Sequence, residues 1–237
     1  MHKSESTLPV YRVKRQAQGR RLQLRVSPFG QIDVVAPHYV AEGEIAAFVM
    51  RKQPWLDARL QEVAQRRQQH PELFAPVPSQ IQLPACGRDY RVSMEEHPAN
   101  RVLNRPGGLC VRALDDFHAR EALRRWLNRE ARVYLLPRLQ QLSTTFGLTC
   151  SGVSIRAQRT RWGSCSAQAK ISLNRNLMFL STEQVDYLLI HELCHTVHLN
   201  HSPEYWQLVK KCSPAYKQLD KSLRYAIKQI PMWALPE

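Results

Sequence analysis

The amino-acid sequence predicts an α+β fold in which a mostly β N-terminal region with two helices, residues 1–112, precedes a helical and strand-hairpin region, residues 113–237. Three patterns support this prediction: alternating apolar residues near the N-terminus, a long amphipathic stretch in mid-chain, and a capped, histidine-rich helix near residue 190. A chain of 237 residues is long enough to bury a sizeable core, so the two regions could also pack as one globule.

β structure is predicted for the N-terminal stretch. The sequence LQLRV at 22–26 alternates apolar and polar residues, a turn follows at 29–30, and the alternation resumes at 32–34, as in a hairpin. A helical pattern begins near Ala41 and is interrupted by Pro54, because proline lacks the N–H group that a helix interior needs. We therefore expect two consecutive helices after the hairpin.

The middle of the chain is expected to contain short strands and one long helix. Four prolines in residues 71–84 predict a loop or crossover between two halves of the fold. Short strands are predicted around residues 81–83, 90–94 and 109–111. A helix should begin near Asp115 and Asp116, whose carboxylates favour a helix N-terminus. It should continue to Gly147, with a kink at Pro137.

The net charge is strongly positive. Lys and Arg together number 34 against 20 Asp and Glu, which gives a formal charge of +14. Such a charge raises the local concentration of anionic partners, including nucleic acid, nucleotides and acidic proteins, but does not select among them. We expect a polypeptide or an anionic small molecule as substrate, and nucleic acid is a further partner that no motif indicates.

Cysteine content and hydropathy favour a reduced, cytoplasmic protein. No run approaches the roughly 18–20 apolar residues of a membrane span, and the first residues carry charges where a signal peptide needs an apolar run. The six cysteines form no C-x-x-C pair, so neither a disulfide framework nor a thiolate zinc site is predicted. We expect no membrane partner.

A helix that carries several histidines is the strongest functional signal. The stretches VSIRAQ at 153–158 and KISLN at 170–174 are predicted strands on either side of the loop RTRWGSCSAQA. After them, Ser181 and Gln184 form an S-x-x-Q capping box that opens a helix leading into HELCHTVHLNH at 191–201.

Two of these histidines have the spacing of metal ligands. His191 and His195 are four residues apart, so both imidazoles project from one face of a helix and can bind one Zn²⁺ at about 2.0–2.1 Å. This is the H-E-x-x-H arrangement, in which Glu192 can take a proton from water at the open position of the metal. Glu192 is therefore the predicted general base, with one zinc ion per chain.

His201 is the predicted third ligand. Asn200 tolerates the left-handed conformation that ends a helix, and Ser202-Pro203-Glu204 would begin the next one, so His201 would lie in the turn between two helices. His198 and a distant carboxylate remain alternatives, although His198 would lie about 10.5 Å along the helix axis from His191. Three protein ligands indicate a catalytic site, because a structural zinc site normally has a fourth.

The residues RTRWGSCSAQAKISLNRNLMFLSTEQVDYLLIHELCHTVHLNHSPEYW resemble the signature of the YgjP-like metallopeptidase family, which is similar to the SprT-like and WLM proteases. The stretches APHYV and QPWL in the N-terminal region resemble that family more loosely. The resemblance implies a zincin-like catalytic core with zinc ligands at His191, His195 and His201 and a general base at Glu192. It also implies a metal-dependent hydrolase, and nucleotide pyrophosphatase activity on UTP has been attributed within the family.

The metal chemistry alone does not identify the bond that is cleaved, because zinc can activate water against an amide or a phosphoanhydride. A phosphate substrate would need cations, and five precede the histidine helix: Arg156, Arg159, Arg161, Lys170 and Arg175. A solvated basic rim is the alternative explanation for them.

A peptide substrate would instead need an exposed edge strand, and either VSIRAQ or KISLN could serve. Trp162, Gly163 and Ser164 would form a tight turn whose N–H groups bind an oxyanion, although Trp162 could equally be a core residue. We take these three residues, with Arg159 and Arg161, as the candidate substrate-binding residues.

Three functions are compatible with the sequence. We favour a zinc-dependent hydrolase of the metallopeptidase type. The alternatives are a nucleoside triphosphate pyrophosphatase that uses the same metal site and a nucleic-acid-associated protease. The sequence contains no G-x-x-x-x-G-K-[ST] loop for phosphate and no recognisable helix-turn-helix or RNP motif.

Overall fold

A computed structural model of the chain describes residues 9–17, 19 and 21–236. The prediction that no signal peptide is present rests partly on residues 1–8, which lie outside the described residues. The fold is α+β, as predicted. The chain forms two compact units, Met1–Phe74 and Ala75–Glu237. Their boundary falls within the proline-rich stretch 71–84, whereas the two predicted regions meet at residue 112.

The first unit begins with a three-stranded sheet. Strand β1 (Arg12–Gln16) pairs in parallel with β3 (Ile32–Pro37), and β2 (Gln23–Val26) pairs antiparallel with the other side of β3. Strands β2 and β3 are the predicted hairpin. The inward-facing residues of β3 are apolar and form the centre of this unit's core with residues of the two helices that follow.

Two consecutive helices complete the first unit, as predicted. These are α1 (Glu42–Arg51) and α2 (Gln53–Gln69), and a short 3-10 helix follows at Pro71–Phe74. Pro54 lies in the first turn of α2, where a backbone N–H would have no partner within the helix. It therefore separates the two helices without disrupting either.

The second unit opens with a four-stranded sheet in the order β4-β5-β7-β6. Its strands are β4 (Gln80–Leu83), β5 (Arg88–Glu96), β6 (Arg101–Arg105) and β7 (Gly108–Ala113), and a short 3-10 helix at Pro84–Cys86 joins the first two. β5 and β7 are parallel and the other pairs are antiparallel. Three of these strands were predicted, and β6 was not.

The long helix α3 (Asp116–Phe146) follows and matches its predicted limits. The Asp115 carboxylate accepts a hydrogen bond of 2.8 Å from the backbone N–H of His118, which caps the first turn. Gly147, with φ of 66°, takes the left-handed conformation that ends the helix. Pro137 lies inside the helix.

A second sheet has the order β8-β10-β9. Its strands are β8 (Gly152–Arg156), β9 (Gly163–Cys165) and β10 (Lys170–Asn174). β10 is the central strand, parallel to β8 and antiparallel to β9. The suggestion that KISLN is an exposed edge strand is therefore wrong. The suggested tight turn at residues 162–164 is also wrong, because Gly163 and Ser164 belong to β9.

Helices α4 (Thr182–Cys194), α5 (Pro203–Cys212) and α6 (Tyr216–Ala226) complete the unit, with 3-10 helices at Arg175–Phe179, Ile227–Gln229 and Met232–Ala234. One apolar core joins the four-stranded sheet, α3, β10 and α4. The six cysteines are free. Within the described parts of the chain, no helix has both the length and the apolar character needed to cross a membrane.

Candidate metal centre

Helix α4 carries the first two candidate ligands, and its N-terminus is fixed by the predicted capping box. The Ser181 hydroxyl accepts a 3.3 Å hydrogen bond from the Gln184 N–H, and the Gln184 side chain accepts one of 3.2 Å from the Ser181 N–H. The Arg138 guanidinium of α3 also binds Asp186 of α4, with Nε 2.6 Å from Oδ1. The capping box thus fixes the start of α4, and the ion pair joins α4 to α3.

The three predicted ligands lie together. Potential ligand atoms of His191, His195 and His201 all lie within 4.8 Å of one another, and they form a group that could hold a metal ion. The Nε2 atoms of His191 and His201 are 3.4 Å apart. Two nitrogens bound at 2.0–2.1 Å to one tetrahedral ion are separated by about 3.4 Å, so this spacing fits zinc.

His195 is held in one orientation by the backbone. Its Nδ1 lies 3.0 Å from the carbonyl oxygen of His198. A carbonyl oxygen only accepts, so Nδ1 carries the proton and Nε2 keeps its lone pair for a metal. His198 thus contributes through its main chain and is not a member of the histidine group.

The end of α4 differs from the prediction. The helix ends at Cys194, and His195 is its C-terminal cap. Ala169 is the one non-glycine with positive φ among residues 9–17, 19 and 21–236. The prediction that Asn200 adopts the left-handed conformation is therefore wrong. The hydroxyl of Thr196 donates to the Leu193 carbonyl at 2.7 Å, which satisfies one carbonyl of the last turn without a left-handed residue.

Helix α5 brings two aromatic rings against the histidines. It starts as predicted, because the Ser202 hydroxyl accepts from the Tyr205 N–H. Tyr205 stacks on His195 with ring centroids 4.4 Å apart, and its hydroxyl donates to the His191 carbonyl at 3.2 Å. Trp206 stacks on His201 with centroids 5.5 Å apart. These aromatic contacts restrict the rotation of the imidazoles.

The carboxylate of Glu192 is enclosed next to the histidines. Only 4% of Glu192 is exposed. A Cβ atom at Gly163 would lie 2.6 Å from its Oε1, so β9 packs directly against the carboxylate. Within the described chain, Oε2 of Glu192 and Nδ1 of His191 are buried without a hydrogen-bond partner. Oε2 of Glu192 is therefore available to a molecule bound in the site.

Burial also shifts the protonation of both groups. Burial, followed by the neighbouring His195 and His201, lowers the pKa of His191 to about 4. The neutral imidazole is the form that binds a metal. Burial raises the pKa of Glu192 to about 8, while the charge of Arg161 acts in the opposite direction. A cation held by the neighbouring histidines would lower the pKa of Glu192 again, because an opposite charge favours the ionised carboxylate.

A cavity of about 560 Å³ opens beside His191 and Glu192. Four of the five predicted substrate-binding residues line it: Arg159, Arg161, Trp162 and Gly163. The remaining one, Ser164, is the middle residue of β9 and is not among the lining residues. Trp162 is also a core residue, since it packs on the apolar core and donates from Nε1 to the Leu223 carbonyl at 3.1 Å.

The other suggested phosphate-binding cations do not line this cavity. Arg156 and Lys170 are exposed elsewhere on the second sheet. Arg175 is 4% exposed and donates to the carbonyls of Arg124 and Ala234, so it is a structural residue. Of the five candidate cations, Arg159 and Arg161 line the cavity.

Several residues at the site had no predicted role. Tyr205 and Trp206 follow the third histidine, but nothing in EYW indicates stacking on imidazoles. Tyr187 precedes His191 by one helical turn, and this spacing could have predicted that the two side chains are neighbours on one face of α4. Asp220 and Arg224 of α6 line the same cavity through tertiary packing, which the sequence pattern does not show.

The chain matches a protein-family model and is similar to a solved structure. A family model described as "YgjP-like, metallopeptidase domain" matches residues 20–226, a range that contains the three histidines and Glu192. No curated protein matches the chain. Among solved structures, the chain is similar to one described as the metallopeptidase zymogen of Pyrococcus abyssi abylysin, with 24% identity and a TM-score of 0.37. That similarity covers 40% of this chain and 97% of the other.

Proposed function

The chain belongs to the YgjP-like metallopeptidase family, and from this premise we propose that it is a zinc-dependent peptidase whose ion is held by His191, His195 and His201. The observation that carries the proposal is the convergence of these three imidazoles beside one buried carboxylate. Metal-dependent hydrolysis follows from family membership, whereas the choice of zinc, the ligands and the base are our proposal.

The donor set supports zinc as the metal. Three neutral imidazoles suit Zn²⁺ better than Mg²⁺ or Ca²⁺, which prefer oxygen ligands. No fourth His, Cys, Asp or Glu joins the group in the described part of the chain, which leaves a coordination position for water or substrate. When bound, zinc acts as a Lewis acid that polarises a carbonyl oxygen and lowers the pKa of water.

Glu192 is the proposed general base. Its Oε2 has no hydrogen-bond partner within the described chain and is free to accept a proton from the attacking water. The same oxygen can then deliver this proton to the leaving amine. The fixed position of the carboxylate against Gly163 keeps the proton acceptor in place.

Strand β9 supports a peptide as substrate. It is an outer strand of its sheet, and one of its two edges has no partner strand among the described residues. An extended peptide can pair with such an edge through main-chain hydrogen bonds. Since Gly163 of β9 contacts Glu192, a peptide on that edge would place its main chain close to the base.

The test compares the wild type with Glu192→Gln. Glu183→Gln is the control, because it makes the same change at an exposed position of α4. Each zinc-loaded protein is assayed for bound metal, cleavage of an unstructured polypeptide and pyrophosphate release from UTP. We expect peptide cleavage by the wild type and Glu183→Gln, and its loss in Glu192→Gln with the metal retained. Undiminished cleavage by Glu192→Gln would refute the base assignment, and pyrophosphate release without peptide cleavage would refute the peptidase.

A further inference from the structure

The cavity beside the proposed base has two walls of different character. One wall is the segment from Arg159 to Gly163, which leads into β9. The other consists of residues of α4 and α6, including His191 and Glu192. A substrate whose reacting bond lies at Glu192 therefore has the 159–163 segment as one wall of its site.

This segment is held in a fixed conformation by one buried side chain. Asn174, at the end of β10, is 1% exposed. Its Nδ2 donates to the carbonyls of Gln158 and Arg161, each at 2.8 Å. Its backbone N–H donates to the Trp162 carbonyl, also at 2.8 Å. Both ends of the segment that carries Arg159 are therefore anchored, which reduces the entropy lost when a ligand binds.

The charges on the cavity wall do not balance. Asp220 is already engaged, because it lies 2.7 Å from a guanidinium nitrogen of Arg224 and 3.2 Å from the Tyr187 hydroxyl. The guanidinium groups of Arg159 and Arg161 have no hydrogen bond or ion pair with any described residue. Both residues are exposed. Two arginines that line the cavity with Glu192 are thus available to a substrate.

On the basis of the proposed function, we infer that Arg159 and Arg161 form a subsite that selects peptides with a carboxylate near the scissile bond. Guanidinium groups bind carboxylates in a planar, two-bond geometry, and their charge favours an anion over its neutral amide. Arg159, Arg161 and Glu192 line the same cavity, so the two charges face the space that holds the reacting bond.

The carboxylate could come from an acidic side chain or from the C-terminus of the substrate, and three kinds of peptide distinguish these sources. The first is a set of peptides that have an amidated C-terminus and Glu at varied positions around the scissile bond. The second replaces that Glu by Gln and keeps the amide. The third has Gln and a free C-terminus. The ratio of kcat/KM between two peptides cancels any change in catalysis that a variant causes in both.

We expect the zinc-loaded wild type to prefer one carboxylate peptide over the amidated Gln peptide by roughly tenfold in kcat/KM, because charge-assisted hydrogen bonds to a carboxylate are stronger than those to a neutral amide. The double variant Arg159→Gln/Arg161→Gln should lower this ratio to near one. Arg156→Gln, an exposed arginine outside the cavity, should keep the wild-type ratio. No preference in the wild type, or a preference that survives in the double variant, would overturn the subsite.

Binding to Glu192→Gln separates this inference from the proposed function. The same peptides are titrated against this variant by fluorescence anisotropy, so no bond has to be cleaved. Tighter binding of a carboxylate peptide, lost when Arg159 and Arg161 are also replaced, supports the subsite even if the wild type cleaves no peptide. Equal binding of all three peptides would overturn the subsite and leave the peptidase proposal standing.

Discussion

The main chain of Gly163 lies against the carboxylate of Glu192, so closely that a Cβ atom on Gly163 would be 2.6 Å from Oε1 and 2.9 Å from Cδ. Gly163 does not adopt positive φ, so its backbone conformation does not require glycine. Glycine is required because the Glu192 carboxylate leaves no room for a Cβ atom. Strand β9 and helix α4 together therefore determine where the proposed base lies.

The first prediction concerns this contact. Gly163→Ala should displace the Glu192 carboxylate and lower kcat/KM by roughly a hundredfold, because a shift of about 1 Å in a catalytic group has effects of that size. Bound metal should remain, since the histidines are not touched. Gly152→Ala is the matched control, because a Cβ atom there meets nothing within 4 Å. Wild-type kinetics in Gly163→Ala would show that the contact does not position the base.

The second prediction concerns Tyr205. Tyr205→Phe keeps the ring that stacks on His195 and removes the hydroxyl that donates to the His191 carbonyl, so the free energy of unfolding should fall by about 1 kcal/mol. Tyr205→Ala removes a fully buried ring and should cost about 3–5 kcal/mol. Denaturant unfolding measures both changes.

Zinc affinity provides a second readout for Tyr205. Competition with a chelator should show nearly wild-type affinity for Tyr205→Phe and weaker affinity for Tyr205→Ala, because His195 then loses its stacking partner. If Tyr205→Ala binds zinc as tightly as the wild type, the aromatic stack does not orient the ligand.

The third prediction concerns the start of α4. Ser181→Ala removes the hydroxyl that accepts from the Gln184 N–H and should lower the free energy of unfolding by about 1 kcal/mol. Ser181→Thr keeps a hydroxyl at the same position and should remain close to the wild type. Urea unfolding of the two variants measures the difference, and equal stability would argue against a contribution from the cap.

Local signals explain why much of the site was predictable. The capping box of Ser181 and Gln184 and the spacing of His191 and His195 are properties of a single helix, and the structure has both. The proximity of His201 followed from the start of α5 at Ser202-Pro203, even though the reason given for the end of α4 was wrong. Several conformations of a short turn can bring its flanking residues to the same place.

Features that depend on tertiary pairing were not predictable in the same way. Strand β9 has the sequence GSC, whose glycine and serine have low strand propensity, and it exists because it pairs with β10. The contact of Gly163 with Glu192 and the position of Asp220 in the cavity join segments far apart in the chain. Strand β6 was missed because its pattern is mostly polar, and its pairing with β7 stabilises it.

The measurement that tests the central claim most directly is the zinc content of the purified wild type, His201→Ala and His198→Ala. Loss of one of three imidazole ligands should remove the metal, whereas His198 contributes through its backbone carbonyl, which alanine also has. We predict about one zinc ion per chain in the wild type and His198→Ala, and little in His201→Ala. A wild type that binds no zinc, or a His201→Ala variant that retains it fully, would contradict the proposed metal centre.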